Sequence, residues 1–181
     1  MIETELLLLR PITRNDNKQV FSYRSDAETN KYQGFIPKKL EEVDEFIAKN
    51  PLKFNQPESW FQLVIIEKNC NEIIGDIGIH FIGEDDFQCE LGCTLNKKHQ
   101  GKGYATTAMK ITMDYLFNTL NKHRITGSVD PKNSDSIKLL ERLNFRKEAH
   151  FKESLFINGE WVDDIVYGIL KSEWNPNYNT V

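Results

Sequence analysis

The chain has 181 residues, long enough for one domain with a substantial buried core. Hydrophobic residues make up 39% and charged residues 28%, an ordinary composition for a globular protein in water, and the net charge of −4 offers no basic surface for nucleic acid. The longest apolar run near the start, "LLLL" at 6–9, is far too short to span a bilayer and lacks the basic flank and cleavage site of a signal peptide. The expectation is therefore a cytoplasmic protein with no nucleic-acid or membrane partner. Its mild acidity would suit a cationic ligand.

No repeat, low-complexity segment or linker divides the chain, so residues 1–181 read as a single domain. "TELLLLRPIT" opens as a strand and stops at Pro11 and the polar "TRNDN". A short helix is expected from about Asp16 to Arg24. "KKLEEVDEFIAKN" places Leu40, Val43, Phe46 and Ile47 on one helical face, with acids early and lysine late, and Pro51 closes it. Three strands follow, "SWFQLVIIE", "IIGDIGIHFI" and "FQCELGCTL", joined by short polar turns as an antiparallel meander. Tyr104 to about Leu120 reads as an amphipathic helix with Ala105, Ala108, Met109, Thr112, Tyr115 and Leu116 on its inner face. "RITGSVD" is a strand, and "NSDSIKLLERLNF" is a helix with Ile137, Leu140 and Leu143 inward and a ready N-cap. "RKEAHFKESLFI" and "EWVDDIVYGILK" form a closing hairpin around Asn158-Gly159.

The order β α α β β β α β α β β predicts an α/β (α+β) domain: a mixed, mostly antiparallel seven-stranded sheet flanked by helices. Its one βαβ unit runs from "FQCELGCTL" through the long helix to "RITGSVD" and supplies the parallel pair. Ligands in such sheets bind beyond the carboxyl end of the strand, where the helix begins. "QGKGYA", Gln100 to Ala105, lies there. Gly101 and Gly103 let backbone N–H groups converge at a helix N-terminus, which suits phosphate; a plain tight turn needing φ > 0 would use the same glycines. A Walker loop is excluded because Lys102 precedes Gly103 rather than Ser or Thr. A dinucleotide fingerprint is excluded by Thr106 in the third small position and by the antiparallel strands before it.

Three cysteines, Cys70, Cys89 and Cys93, are too few and too odd for a disulfide framework. Cys89 and Cys93 fall on one face of a strand with no second Cys or His pair at zinc spacing, and read as small buried hydrophobes; no metal is expected.

"QGKGYA" also resembles the Q/R-x-x-G-x-G/A signature of the GCN5-related N-acetyltransferases. The resemblance continues in order along the chain. "LLLLRPIT", "CELGCTL" with "HQGKGYATTAM", "NSDSIKLLERLNFRKE" and "INGEWVDDIVYGIL" are similar to successive elements of the family's ribosomal-protein N-terminal acetyltransferase branch. What this implies is the acyl-CoA N-acyltransferase fold, acetyl-CoA as co-substrate and transfer of its acetyl group by direct attack of a primary amine. The acceptor would be a protein N-terminus, such as that of a ribosomal protein, or a small amine such as a polyamine or aminoglycoside. A non-catalytic acyl-CoA-binding module is the reading outside the enzyme class. A monomer or a homodimer would serve.

By the same resemblance the CoA pyrophosphate rests on Gln100, Gly101, Lys102, Gly103, Tyr104, Ala105 and Thr106. A bulge at Gly92 splays the strand, so that Cys93 and Leu95 offer backbone groups to the pantetheine arm. Ser136, beside Asn133 in "NSDS", takes the leaving-thiolate end, although the two also cap a helix. Glu90, on the polar side of its strand with Gln88 and Thr94, is the expected general base through a water, with ion pairing inside the sheet as its other reading. Glu153 is the second candidate base. His80, His99, His123 and His150 are scattered and read as structural. Cys93-Thr94 replaces residues that are commonly aromatic in the branch, and Asn144 replaces a glycine while tolerating left-handed geometry.

Overall fold

The computed structural model describes residues 1–175. It begins with β1 (Ile2–Glu3) and β2 (Leu7–Pro11), paired antiparallel through a turn at Thr4, whose hydroxyl accepts from the Leu7 N–H at 3.0 Å. Two helices follow, α1 (Asn17–Arg24) and α2 (Leu40–Ala48). The meander is β3 (Ser59–Glu67), β4 (Glu72–Ile82) and β5 (Gln88–Leu95). Then come α3 (Tyr104–Asp114), β6 (Arg124–Val129), α4 (Ser134–Arg142), β7 (Arg146–Ile157) and β8 (Glu160–Leu170). All strands join one sheet in the order β1-β2-β3-β4-β5-β6-β8-β7, and only β5 and β6 are parallel.

The sheet has eight strands rather than seven. The extra one is β1, two residues whose partners are Leu9 and Leu8, too short to leave an alternating pattern. The helix expected to reach Leu120 is α-helical to Asp114 and continues as a π-type turn over Tyr115–Thr119, where the Leu120 N–H bonds the Tyr115 carbonyl five residues back. This last turn rotates Phe117 inward beside Leu116, and both are fully buried. Residues 176–181, included in the expected domain, lie outside the described residues.

Side chains alternate across the sheet and divide the core in two. Phe61, Leu63, Ile77, Ile79, Cys89 and Leu91 face α3 and α4, where they meet Met109, Met113, Leu116 and Leu140. Val64, Ile66 and Ile73 face α1 and α2, where they meet Val20, Val43 and Ile47. Each such side chain withdrawn from water contributes about 1.5–3 kcal/mol. The two helices on the second face are short, and the Asn50 side chain just after α2 accepts from the Gln62 N–H at 2.6 Å. From Gln62 toward Trp60 that face carries polar groups instead.

α1 is fixed to the sheet by a buried ion pair. Arg24 donates from Nε at 2.9 Å and from Nη2 at 2.5 Å to the Asp76 carboxylate, and the Tyr23 hydroxyl donates to the same carboxylate at 2.6 Å. The guanidinium also lies over the Phe46 and Phe35 rings, at 5.1 and 5.8 Å. At the opposite end of β5, Lys122 is fully buried, bonded to the carboxylate of Asp86 and, at 2.7 Å, to its carbonyl.

Candidate active site

The turn between β5 and α3 is built to expose backbone. Asn96 caps a short helical turn at Lys97–His99, its Oδ1 accepting from the Lys98 N–H at 3.1 Å. Gln100 Nε2 donates to the Leu95 carbonyl at 3.0 Å and ties the loop to the strand end. Gly101 (φ 73°) and Gly103 (φ 82°) are both left-handed, and Gly103 is the N-cap of α3. A Cβ on either would meet no protein atom within 4 Å. The glycines therefore serve the backbone conformation and leave open space in front of it. No side chain caps α3 and no acid sits in its first turn, so the N–H groups of its N-terminus face outward with the positive end of the helix dipole.

These N–H groups open onto a groove of about 890 Å³. Its floor is Cys93–Leu95, one wall is Gln100 to Thr106, the far end is the start of α4 with Asn133 and Ser136, and the other wall is the segment 28–33. Lys97, Lys138 and Arg142 border it, and Arg142 Nη1 donates to Thr106 Oγ1 at 3.0 Å, bridging α4 to α3. An elongated anion fits this charge and shape. Lys102 belongs to the turn but does not line the groove.

The floor opens because β5 and β6 part. Their ladder pairs Gln88 with Arg124, Cys89 with Ile125 and Glu90 with Thr126, and then ends while both strands continue. Leu91 to Leu95 thus present an edge toward the groove that β6 does not pair. No bulge produces this. The β4–β5 register runs without a shift through the cross-strand pair Gly78 and Gly92, which corrects the expectation of a bulge at Gly92. Divergence of the parallel pair alone makes the gap.

Ser136 lines the groove at the start of α4, its N–H donating to Asn133 Oδ1 at 3.2 Å. The cap thereby aims the hydroxyl-bearing residue at the same space as the glycine turn. Glu90 lies at the last paired position of β5, between His80 on β4 and Thr126 on β6, on the opposite face of the sheet from Cys89 and Leu91. It is half-buried. Loss of hydration pushes its carboxyl above the ordinary range, and the negative charge of Asp164 pushes the same way. No ion pair is formed by Glu90 among the described residues. Glu153 lies elsewhere: it is exposed, left-handed (φ 46°) in a bulge of β7 between Phe151 and Leu155, on the edge strand three places from β5. The structure does not bring it to Glu90 or to the groove lining.

Both sheet thiols are protonated near neutrality. Burial pushes Cys89 and Cys93 up to about 12. No group of His, Cys, Asp and Glu able to hold a metal occurs among the described residues. The segment 28–33, anonymous in the sequence, is held by Asn30, which is 1% exposed and donates to the carbonyls of Tyr23 (2.7 Å) and Asp26 (2.9 Å).

A splayed parallel pair, a left-handed glycine turn and an uncapped helix beyond the strand end define an acyl-CoA-binding N-acyltransferase. Residues 7–146 match the model of the acetyltransferase (GNAT) domain family, and the chain belongs to that family. It is 32% identical over 173 residues to the uncharacterized N-acetyltransferase p20 of Bacillus licheniformis, covering 94% of this chain and 96% of the relative. It is also 32% identical over 125 residues to the ribosomal protein uS5-alanine N-acetyltransferase of Escherichia coli (strain K12), covering 68% and 64%. Among solved structures, a GNAT-family acetyltransferase from Bacillus anthracis superposes with a TM-score of 0.85 at 30% identity, over 95% of this chain and 99% of that one. The spermidine N-acetyltransferase of Vibrio cholerae, in complex with CoA and spermine, gives 0.80 at 26% identity, over 94% and 98%. The chain is thus an acetyl-CoA-dependent N-acetyltransferase whose relatives acetylate both protein and small-molecule amines. No helix among the described residues is long and apolar enough to cross a membrane.

Proposed function

We propose that residues 1–181 form one catalytic domain that binds acetyl-CoA in the groove and transfers its acetyl group to a primary amine arriving from the Glu90 side of the sheet. The observation that carries the reading is the open turn at Gly101 and Gly103, where the space a Cβ would fill is empty and the first N–H groups of α3 face it. Gln100 to Thr106 would hold the pyrophosphate, and the unpaired edge at Cys93 and Leu95 would receive the pantetheine arm as an added strand.

The chemistry needs one proton removed and one leaving group stabilised. The amine nitrogen attacks the thioester carbonyl, an N–C bond forms, the C–S bond breaks and the sulfur leaves with the electron pair. Glu90 accepts the amine proton, and a carboxyl whose affinity for protons is raised by burial suits that task near neutral pH. The Ser136 hydroxyl hydrogen-bonds the departing thiolate. Thiols pushed up to about 12 are poor nucleophiles, which supports direct attack over an acyl-cysteine route. The acceptor is either a protein N-terminal amine or a small polycationic amine.

Thermal shift with acetyl-CoA, ATP and NAD, followed by mass spectrometry of products from an amine and peptide panel, tests this. Acetyl-CoA alone should raise the melting temperature substantially, since a hundredfold excess over Kd stabilises by about 2.7 kcal/mol. A product heavier than the amine by about 42 Da should appear, because an acetyl group replaces one hydrogen on nitrogen. Equal shifts with all three nucleotides would reject the site. A shift with acetyl-CoA and no product from any amine would leave a binding module without transfer.

A further inference from the structure

Among the glycines inside the described strands, four are explained by what stands against them. A Cβ would lie 2.3 Å from the Thr94 carbonyl oxygen at Gly75, 3.0 Å from Gln62 Nε2 at Gly78, 3.1 Å from a Leu140 methyl at Gly127 and 2.6 Å from the Glu148 carboxylate at Gly168. Gly92 in β5 differs. A Cβ there would meet nothing within 4 Å, the residue is exposed, and its φ is not left-handed. Neither packing nor backbone geometry calls for glycine at this position. Glycine weakens a strand interior, so what Gly92 supplies is empty space.

The position of that space in the wedge gives it a use. The ladder between β5 and β6 ends at Glu90 and Thr126, and one residue further the two backbones still adjoin: a Cβ on Gly127 would lie 3.5 Å from the Leu91 carbonyl oxygen. Gly92 is thus at the apex of the opening. A pantetheine arm paired along Cys93 and Leu95 must bring its thioester end level with Gly92, because the wedge closes beyond it. From there an acyl group has two ways out of the sheet plane. Toward α3 and α4 it meets Leu91, 3% exposed, and the Leu140 side chain seated against Gly127. Toward the opposite face it passes Gly92, between Glu90 and Thr94 on the same strand, where no side chain stands. Over neighbouring Gly78 the Gln62 carboxamide and the Trp60 ring fill the space, so the opening is confined to Gly92 and leads outward.

We propose that the acyl pocket is unwalled at Gly92 and that the protein transfers propionyl and butyryl groups from their CoA thioesters as well as acetyl. The inference rests on the acetyltransferase reading and extends its donor. The bond changes are the same: the amine nitrogen attacks the longer thioester's carbonyl, an N–C bond forms, the C–S bond breaks with its electron pair on sulfur, and the amine proton goes to Glu90. No further reactant is needed. Charge sets the limit on the chain. Glu90 and Asp164 stand on this face, Asp164 8% exposed and bonded by the Ser128 hydroxyl at 2.7 Å, while Arg124 and Arg146 are engaged by Glu148. A neutral alkyl chain passes these carboxylates, and a chain ending in a carboxylate is repelled by them.

Calorimetry with CoA and with acetyl-, propionyl-, butyryl- and succinyl-CoA tests this without an acceptor, and mass spectrometry with the best amine of the panel reads transfer. In a closed pocket one extra methylene is rejected by about 10–200-fold. Here propionyl- and butyryl-CoA should bind and react within about threefold of acetyl-CoA, and succinyl-CoA at least about tenfold worse. Gly92→Ala places a methyl in the opening without strain or clash. It should keep the melting temperature and the affinity for CoA itself, and set butyryl-CoA at least about tenfold below acetyl-CoA. Tenfold rejection of propionyl-CoA by the wild type would overturn the proposal, as would a Gly92→Ala protein that treats all donors alike. Equal loss of turnover with every donor in that variant would give the space to the acceptor instead, and unfolding would assign the glycine to the fold; either result also ends the proposal. Failure of CoA to bind at all would remove the acetyltransferase reading, whereas binding of acetyl-CoA with refusal of butyryl-CoA would sink this inference alone.

Discussion

Gly103→Ala separates what the glycine turn does for the fold from what it does for the ligand. At φ 82° an L-residue pays the left-handed penalty, about 1–2 kcal/mol. No protein atom lies within 4 Å of the new methyl, so no clash adds to it. For a chain of this length, each kcal/mol lowers the melting temperature by about 2–4 °C, so the shift should be about 2–8 °C. The methyl would project into the space assigned to the pyrophosphate, and acetyl-CoA affinity should fall at least about tenfold, or ~1.4 kcal/mol. Gly159→Ala is the matched control: φ is 90°, the space is equally empty, and the position is the Asn158-Gly159 hairpin tip. It should lower the melting temperature similarly and leave affinity unchanged. Differential scanning fluorimetry and isothermal titration calorimetry read the two effects. Unchanged acetyl-CoA affinity in Gly103→Ala, or equal losses in both variants, would refute the argument that this turn holds the ligand.

Glu90→Gln should lower the rate at neutral pH by about 10²–10⁴, with acetyl-CoA affinity kept and part of the rate recovered at high pH, where solution deprotonates the amine; wild-type turnover in a pH profile would exclude Glu90 as base. Because the folded protein raises the Glu90 carboxyl's proton affinity, this group lowers stability as pH rises from the ordinary carboxylate range through its elevated value. Glu90→Gln should therefore be at least as stable as wild type at pH 7, and a lower urea midpoint would contradict that sign. Asp76→Asn leaves the buried Arg24 charge uncompensated and should cost about 3–5 kcal/mol in urea unfolding; a loss below about 1 kcal/mol would mean water reaches the pair. Iodoacetamide at pH 7.5 should label the exposed Cys70 faster than Cys89 and Cys93, although the Glu67 carboxylate that its thiol bonds raises its proton affinity too; mass spectrometry showing Cys93 labelled faster than Cys70 would contradict the burial that holds Cys93 up.

The order of helices and strands was legible because hydrophobic period and turn chemistry agreed nearly everywhere. Asn158-Gly159 adopts the left-handed pair that its hairpin needs, Asn144 takes φ 64°, and Asn133 caps α4 as its neighbours implied. The parallel pair and the glycine turn followed from the single βαβ unit. What did not follow depended on distant parts of the chain. Gly92 read as a bulge because a lone glycine in a strand signals either a bulge or a close approach. The structure pairs it with Gly78 instead, a relation invisible without the β4–β5 register. Glu153 stood two strands from β6 in a local bulge whose position no alternation could reveal. Arg24 and Asp76, 52 residues apart, carried no shared signal at all.

That ion pair has a kinetic consequence. Arg24 and Tyr23 grip Asp76, which pairs across the ladder with Thr94 in the groove floor, and Asn30 hangs the 28–33 wall from the Tyr23 carbonyl. The opposite wall is tied to the same strand by Gln100 on the Leu95 carbonyl. Both sides of the groove are thus referenced to β5 before any ligand arrives, and little ordering remains to be done at the moment of binding. Capture of acetyl-CoA should accordingly proceed in a single phase whose observed rate climbs linearly with concentration, with no plateau from a slow opening step.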